Sequence, residues 1–244
     1  MEKPYTPSHQ DHMRGMKTVV LTWFFSIGGT SWVSNGPEMV SLVFSIEQNK
    51  EIYNQSIYGE PPQLGIWLEE PMSGKVKTVY VTYRTGNGDF EGKSEVPVAL
   101  PAWIGAYRKE TGNNGLPTPG NPLEMSLTGA TQKTVHINKE VSVPLGSKWL
   151  YYVEVNVAGD YNPAFPAYRE DGTPDPDGNG QPSIVYRGEI TAEQGVVSHP
   201  KLIGRTEQMY LSTAIISDLE GIGNARQLLN RIEVSCISSK QPFN

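Results

Sequence analysis

The chain has 244 residues, including 25 Gly, 19 Pro and a single cysteine, Cys236. This length permits one large domain or two small ones, and all-β folds commonly reach it as one unit. One cysteine excludes an internal disulfide framework and a cysteine-rich metal site. The formal net charge is −6, and the charges are mixed without a basic stripe. The composition therefore argues against a nucleic-acid partner.

Residues 1–36 are interpreted as a leader, and residues 37–244 as a single domain. A short cationic start at residues 13–17 precedes an apolar stretch at 18–27, and small residues follow it. This order is typical of a secretory signal peptide, and the stretch is too short for a transmembrane helix. An ordinary β-strand is the alternative, because the stretch is rich in β-branched and aromatic residues. The leader predicts a periplasmic or otherwise extracytoplasmic protein that is not an integral membrane protein.

The rest of the chain consists of short extended runs separated by turns. In these runs apolar and polar side chains alternate, as they do in half-buried strands. The predicted strands cover residues 40–46, 63–69, 76–84, 135–143, 149–157, 183–190 and 232–237. Two antiparallel pairs are predicted from the turns between them, 63–69 with 76–84 and 135–143 with 149–157.

Two polar, turn-rich segments, residues 85–124 and 158–182, are predicted to be long loops. An apolar island at residues 98–104 interrupts the first, and Trp103 is expected to anchor it on the core. Apolar residues recur at spacings of three and four only in residues 218–232, which predicts a short helix. The sequence therefore predicts an all-β fold, an immunoglobulin-like antiparallel β-sandwich with long loops and one short helix near the C-terminus.

Residues 128–131, Thr-Gly-Ala-Thr, form the sharpest local motif. They resemble the site at which flavin transferases attach FMN through a phosphoester to the second threonine, here Thr131. This attachment requires an exposed hydroxyl on a turn of small residues, which the Gly-Ala pair supplies. Known sites usually carry an acidic residue three places before the motif, where this chain has Met125. The alternative is a small-residue turn that leads into the next strand.

Oxygen-bearing side chains alternate along residues 175–180, ahead of a glycine turn. This pattern matches the first half of a calcium loop, in which carboxylate and amide oxygens bind the ion. The predicted calcium ligands are Asp171, Asp175, Asp177 and Asn179. An EF-hand loop would end in a glutamate at its twelfth position, where Tyr186 stands. A solvated turn of ordinary turn residues is the alternative.

Three aromatic residues, Tyr161, Phe165 and Tyr168, alternate with prolines in the second predicted loop. Aromatic loops on sandwiches often contact ligands or partner proteins, so these residues are candidates for a partner-binding loop. The alternative is that their rings cover the open end of the core.

No catalytic motif is found in the sequence. His136 and His199 are isolated, without the short spacings that metal-binding histidines show. Cys236 lies in an apolar run, which indicates a buried and unreactive thiol. We therefore expect a protein without enzymatic activity, for which FMN and calcium are the candidate cofactors.

Several segments together resemble an uncharacterised family of predicted periplasmic proteins, whose immunoglobulin-like domain is similar to part of flagellar hook-capping proteins. The resemblance runs in order over about residues 40–237. The segments that carry it are residues 63–69, 77–82, 100–103, 128–131, 152–156 and 180–186. The resemblance implies a β-sandwich outside the cytoplasm with no established activity, and the hook-capping similarity concerns the fold alone.

Relatives in that family often accompany PepSY-type membrane proteins and flavin-transfer machinery. The resemblance therefore implies an exported accessory or binding protein with a protein partner at the membrane or cell envelope, where it would serve a membrane redox system. The alternative is an electron-transfer protein that carries FMN covalently on Thr131.

Overall fold

The structure is a computed structural model that describes residues 36–88, 97–124, 128–129, 133–176 and 178–238. The chain divides into two units, Met1–Asn35 and Gly36–Asn244, and every described residue belongs to the second. The predicted leader lies outside the described residues except for Gly36.

The described domain is built from two β-sheets. Sheet A has four strands in the spatial order β5 (His136–Pro144), β1 (Met39–Gln48), β10 (Leu229–Ser238) and β8 (Val197–Ser198). Sheet B has six, in the order β4 (Thr128–Gly129), β3 (Val76–Thr82), β2 (Gln63–Glu69), β6 (Lys148–Asn156), β7 (Ile184–Thr191) and β9 (Lys201–Arg205). Neighbouring strands are antiparallel except β3 and β4, which are parallel.

Few helices accompany the sheets. The α-helices are α1 (Lys50–Tyr53), α2 (Tyr83–Asn87) and α3 (Pro101–Thr111), and 3₁₀ turns occupy Pro97–Ala99 and Asn224–Gln227. The predicted all-β sandwich is confirmed.

Alternation along the strands places one apolar face of each sheet in a shared core. The buried side chains of β1 are Val40, Leu42, Phe44 and Ile46, and those of β6 include Tyr151, Val153 and Val155. The rings of Phe44 and Tyr151 meet edge to face, with their centroids 5.8 Å apart. Such an aromatic pair stabilises a core by about 0.5–1.5 kcal/mol beyond the burial of its surface. This contact joins the two sheets directly.

The opposite face of sheet B carries a second apolar core beneath α3. Trp103, Ile104 and Tyr107 of α3 pack there with Trp67 and Val185 of the sheet. The helix approaches closely because β2 has a glycine under it, Gly65. A Cβ atom at this position would lie 3.1 Å from the Cβ of Trp103. A side chain here would press on Trp103, so a glycine favours the close approach of α3 to the sheet.

Glu154 of β6 joins α3 to sheet B. Its carboxylate is fully buried and accepts hydrogen bonds from the peptide N–H groups of Ala102 (3.1 Å) and Trp103 (2.6 Å). These N–H groups begin a helix and have no partner within it, and the helix dipole favours an anion there. Burial raises the pKa of Glu154 to about 7, although the hydrogen bonds from Ser183, Trp103 and Ala102 lower it.

The predicted hairpin of residues 135–143 with 149–157 is wrong. Strand β5 pairs with β1 in sheet A, whereas β6 pairs with β2 and β7 in sheet B. The short connection therefore crosses from one sheet to the other, and both strands direct their apolar faces into the shared core. The predicted hairpin of residues 63–69 with 76–84 is confirmed by the pairing of β2 with β3.

The predicted helix at residues 218–232 is also wrong. It is replaced by a single 3₁₀ turn, Asn224–Gln227, and by strand β10 from Leu229 onward. Gly221 has a φ of +78°, which interrupts a helical backbone. The apolar residues responsible for the helical spacing are nevertheless buried, Leu228 and Ile232 among them. Pairing with β1 satisfies the backbone of β10 and overrides the local pattern.

Residues 85–124 are not the long loop that their turn-rich composition predicts. The apolar island at 98–104 is buried, as expected, and Trp103 is fully enclosed. The island is helical, however: it comprises most of a 3₁₀ turn and the first part of α3. Within this segment, α3 covers sheet B.

Glu154→Gln should flatten the pH dependence of stability. The folded-state pKa of Glu154, about 7, lies above its ordinary 4.5, so the folded chain holds the proton more tightly than the unfolded chain. The stabilisation is therefore fully present below pH 4.5 and is lost as the pH rises through about 7, by roughly 3 kcal/mol. Urea unfolding of both proteins across this range measures the effect. A difference between wild type and variant that does not fall with rising pH would contradict it.

Candidate binding site

Several strand ends meet at one edge of the sandwich, where the long loops emerge. Gln63 at the start of β2 is opposite Asn156 at the end of β6, and Ile184 at the start of β7 is opposite Arg205 at the end of β9. We call this edge the loop end. It comprises residues 49–62, 157–183 and 206–228.

Gln181 is the centre of the hydrogen bonds that hold the loop end together. Its buried side-chain amide donates to the peptide oxygen and the carboxylate of Asp160, each at 2.9 Å, and to Asn224 Oδ1 at 2.8 Å. Its amide oxygen accepts from the Gly223 N–H at 2.7 Å. Asn156 Nδ2 of β6 donates to the Gln181 peptide oxygen at 2.8 Å. One side chain thus ties residues 157–183 to the segment that precedes β10.

Asp160 is a buried carboxylate in this network. Its Oδ1 accepts from the Gln181 peptide N–H at 2.8 Å, in addition to the bond from the Gln181 side chain. Burial raises the pKa of Asp160 to about 7, and the hydrogen bonds from Gln181 act in the opposite direction.

Asp175 organises the later part of the same loop. Its Oδ2 accepts from the peptide N–H groups of Asn179 (3.0 Å) and Gly180 (3.4 Å), and from the Tyr161 hydroxyl (3.1 Å). Burial and the nearby charge of Asp175 raise the pKa of Tyr161. This tyrosine therefore remains a neutral hydrogen-bond donor under ordinary conditions.

The three aromatic residues proposed for partner binding lie in different environments. Tyr161 is half-buried and bonded to Asp175. Phe165 is half-buried, packs against the core, and lies 5.4 Å from the Arg205 guanidinium. Tyr168 is 63% exposed. Phe165 thus covers part of the core, Tyr161 is bonded within the loop, and of the three only Tyr168 is exposed.

Tyr168 adjoins Arg169 in the chain, and Arg169 contacts a second exposed tyrosine that the sequence does not indicate, Tyr210. The Arg169 guanidinium lies 5.2 Å from the ring of Tyr210, which is 56% exposed. Arg169 Nε also donates to the sulfur of Met209 at 3.3 Å. We call Tyr168, Arg169 and Tyr210 the tyrosine cluster. It joins two segments about forty residues apart in the chain.

The predicted calcium ligands are only partly brought together. Asp175 and Asn179 lie in one buried region, joined by a hydrogen bond. Asp171 is exposed, and its carboxylate accepts from the Thr173 N–H at 2.9 Å in a local turn. Asp177 lies outside the described residues. Among the described side chains, no group of three or more His, Cys, Asp or Glu could hold a metal ion.

Thr131, the predicted site of FMN attachment, lies outside the described residues. The preceding Thr128 and Gly129 form the edge strand β4 beside β3. Cys236 is buried in the core, as its apolar neighbours predict.

Glu154, Asp160 and Gln181 are not among the site residues that the sequence predicts. Alternation along residues 149–157 places Glu154 on the polar face of its strand, and the other two fall in the predicted polar loop 158–182. The one sequence feature that the three residues share is a position in a strand of sheet B or within six residues of one. Burial of all three depends on segments distant in the chain.

Comparisons with protein-family models, curated proteins and solved structures find no match to this chain. None of the helices in the described ranges has the length and apolar character needed to cross a membrane.

Gln181→Leu should destabilise the domain by about 2–4 kcal/mol, because it removes four side-chain hydrogen bonds, two of them to the buried Asp160. Gln55→Leu is the matched control, since Gln55 is exposed, and it should change stability by less than about 0.5 kcal/mol. Denaturant unfolding measures both variants. Equal effects at the two positions would show that the Gln181 network does not hold the loop end.

Proposed function

We propose that this protein is an exported, non-enzymatic accessory protein that binds a protein partner of the membrane or cell envelope through the tyrosine cluster. The observation that carries the proposal is the exposure of two tyrosines beside an arginine, on a loop end held by buried hydrogen bonds. Tyrosine and arginine are enriched in protein interfaces and in their energetic hot spots.

The loop end suits binding because its exposed residues stand on a preordered base. Asp160, Asp175 and Gln181 fix the backbone of the loop on both sides of Tyr168 in the chain through buried contacts. Backbone hydrogen bonds from Arg169 to Thr173 and from Asp175 to Ala167 close the segment that carries Tyr168. The loop therefore has little conformational freedom to lose when a partner binds, which favours affinity.

The charge around the tyrosine cluster suggests the chemistry of the partner. Glu170 and Asp171 are exposed next to Arg169, so the cluster has an acidic rim. A partner with a basic rim around an apolar pocket would complement this surface. The family resemblance supports a place beside a membrane redox system.

The double substitution of Tyr168 and Tyr210 by serine tests the surface. Both side chains are exposed, so the variant should remain folded while its capture of an envelope protein from the native host falls at least about tenfold. Quantitative mass spectrometry of captured proteins, followed by a Kd with the purified partner, measures the loss.

Met72→Ser is the matched control. Met72 is 95% exposed in the turn between β2 and β3, at the end of these strands that lies away from the loop end. The control should capture the same partner as wild type. Identical capture by wild type and by the double variant would refute the tyrosine cluster as the binding surface.

The intact mass and absorbance of protein purified from its native host test the export hypothesis and the alternative. Export predicts a chain shorter than the full sequence by its leader, without flavin absorbance. An added mass equal to FMN less one water, as a phosphoester requires, and abolished by Thr131→Ala, would instead support covalent flavin attachment. A full-length, unmodified chain would contradict both hypotheses.

A further inference from the structure

Asn179 is a buried polar side chain without a hydrogen-bond partner among the described residues. It is 2% exposed, and neither its amide oxygen nor its amide nitrogen bonds to any of them. An amide buried in this way destabilises the fold unless another group satisfies it. The Oδ1 of Asn156, which is bonded through its Nδ2 to the Gln181 peptide oxygen, is also without a donor. Two buried amide oxygens, those of Asn156 and Asn179, therefore accept no hydrogen bond from the described residues.

Two carboxylates occupy the same buried region as Asn179. Asp175 accepts from the peptide N–H groups of Asn179 and Gly180, and Asp160 accepts from that of Gln181. Three consecutive residues thus hold both carboxylates beside Asn179. A Cβ atom on Gly180 would lie 2.4 Å from Asp160 Oδ1, so the chain passes directly against Asp160. Among the described residues, Asp160 forms no ion pair with a lysine or an arginine.

The spacing of these residues matches the first half of a calcium loop. Asp175, Asn179 and Gly180 correspond in spacing to the first, fifth and sixth positions of such a loop, where the sixth residue makes a sharp turn. Gly180 has a φ of +78°, which only glycine adopts readily. The seventh position, which contributes a peptide oxygen in calcium loops, is Gln181.

We propose that the loop end binds one calcium ion through Asp160, Asp175 and Asn179. All three contribute oxygen, which hard cations prefer and which does not favour zinc. Asp160 supplies the second carboxylate that the loop lacks at its twelfth position, Tyr186. Asp171 is not part of the site, because it is exposed and bonded within its own turn. The inference concerns an ion and does not rest on the proposed partner surface.

Calorimetric titration of the full chain, freed of divalent ions by a chelator, tests the site with CaCl₂ and separately with MgCl₂. We expect one calcium per chain, a Kd on the order of 10⁻⁵ to 10⁻³ M, and weaker binding of magnesium. Calcium should also raise the melting temperature, since it binds the folded state. Absence of both heat and a thermal shift at millimolar calcium would overturn the proposal.

Asp160→Asn and Asn179→Ala should each weaken calcium binding at least about tenfold, since each removes a ligand. Asp171→Asn is the control and should leave the Kd within about twofold. Circular dichroism checks folding, and Asn179→Ala decides the question if Asp160→Asn does not fold. Calcium binding as tight in Asn179→Ala as in wild type would refute the site. The Tyr168 and Tyr210 double variant should bind calcium normally, so this test and the partner test fail independently.

Discussion

The architecture of sheet B depends on one buried carboxylate. Glu154 accepts hydrogen bonds from the first turn of α3 and from the Ser183 hydroxyl, which in turn is bonded to the Thr206 hydroxyl. Burying an ionised carboxylate is costly, and three donors with a helix dipole offset part of that cost. This anchor positions the helix that covers the apolar outer face of sheet B, including Trp67.

The same contacts lead from the core to the loop end. Ser183 lies two residues after Gln181, so the bond to Glu154 fixes the start of β7 and Gln181 fixes the loop before it. These groups are buried, where hydrogen bonds are electrostatically stronger than in water. A polar network that begins at the centre of sheet B therefore holds the loop in which the exposed Tyr168 lies.

The strands could be predicted because their alternating pattern is local. The pairing of the strands could not be predicted in full, because it depends on segments distant in the chain. Alternation places Tyr151, Val153 and Val155 on one face of β6, and all three are buried. The same alternation places Glu154 on the opposite face, which faces solvent in a sandwich of only two layers. Its burial follows from α3, whose signals were available in Pro101 at the first helical position and Gly112 at the C-cap. Turn-rich neighbours obscured them.

The candidate site was harder to predict because contacts with distant parts of the chain decide which of its side chains are buried and which are exposed. Phe165 is held beside Arg205, Tyr161 is bonded to Asp175, and Tyr168 is left exposed. No local property of these three aromatics distinguishes them. Spacing identified Asp175 and Asn179, but Asp160 is brought to them by contacts with Gly180 and Gln181. In this protein the polar residues of a long loop form its buried frame, so composition alone misjudges which of its residues reach solvent.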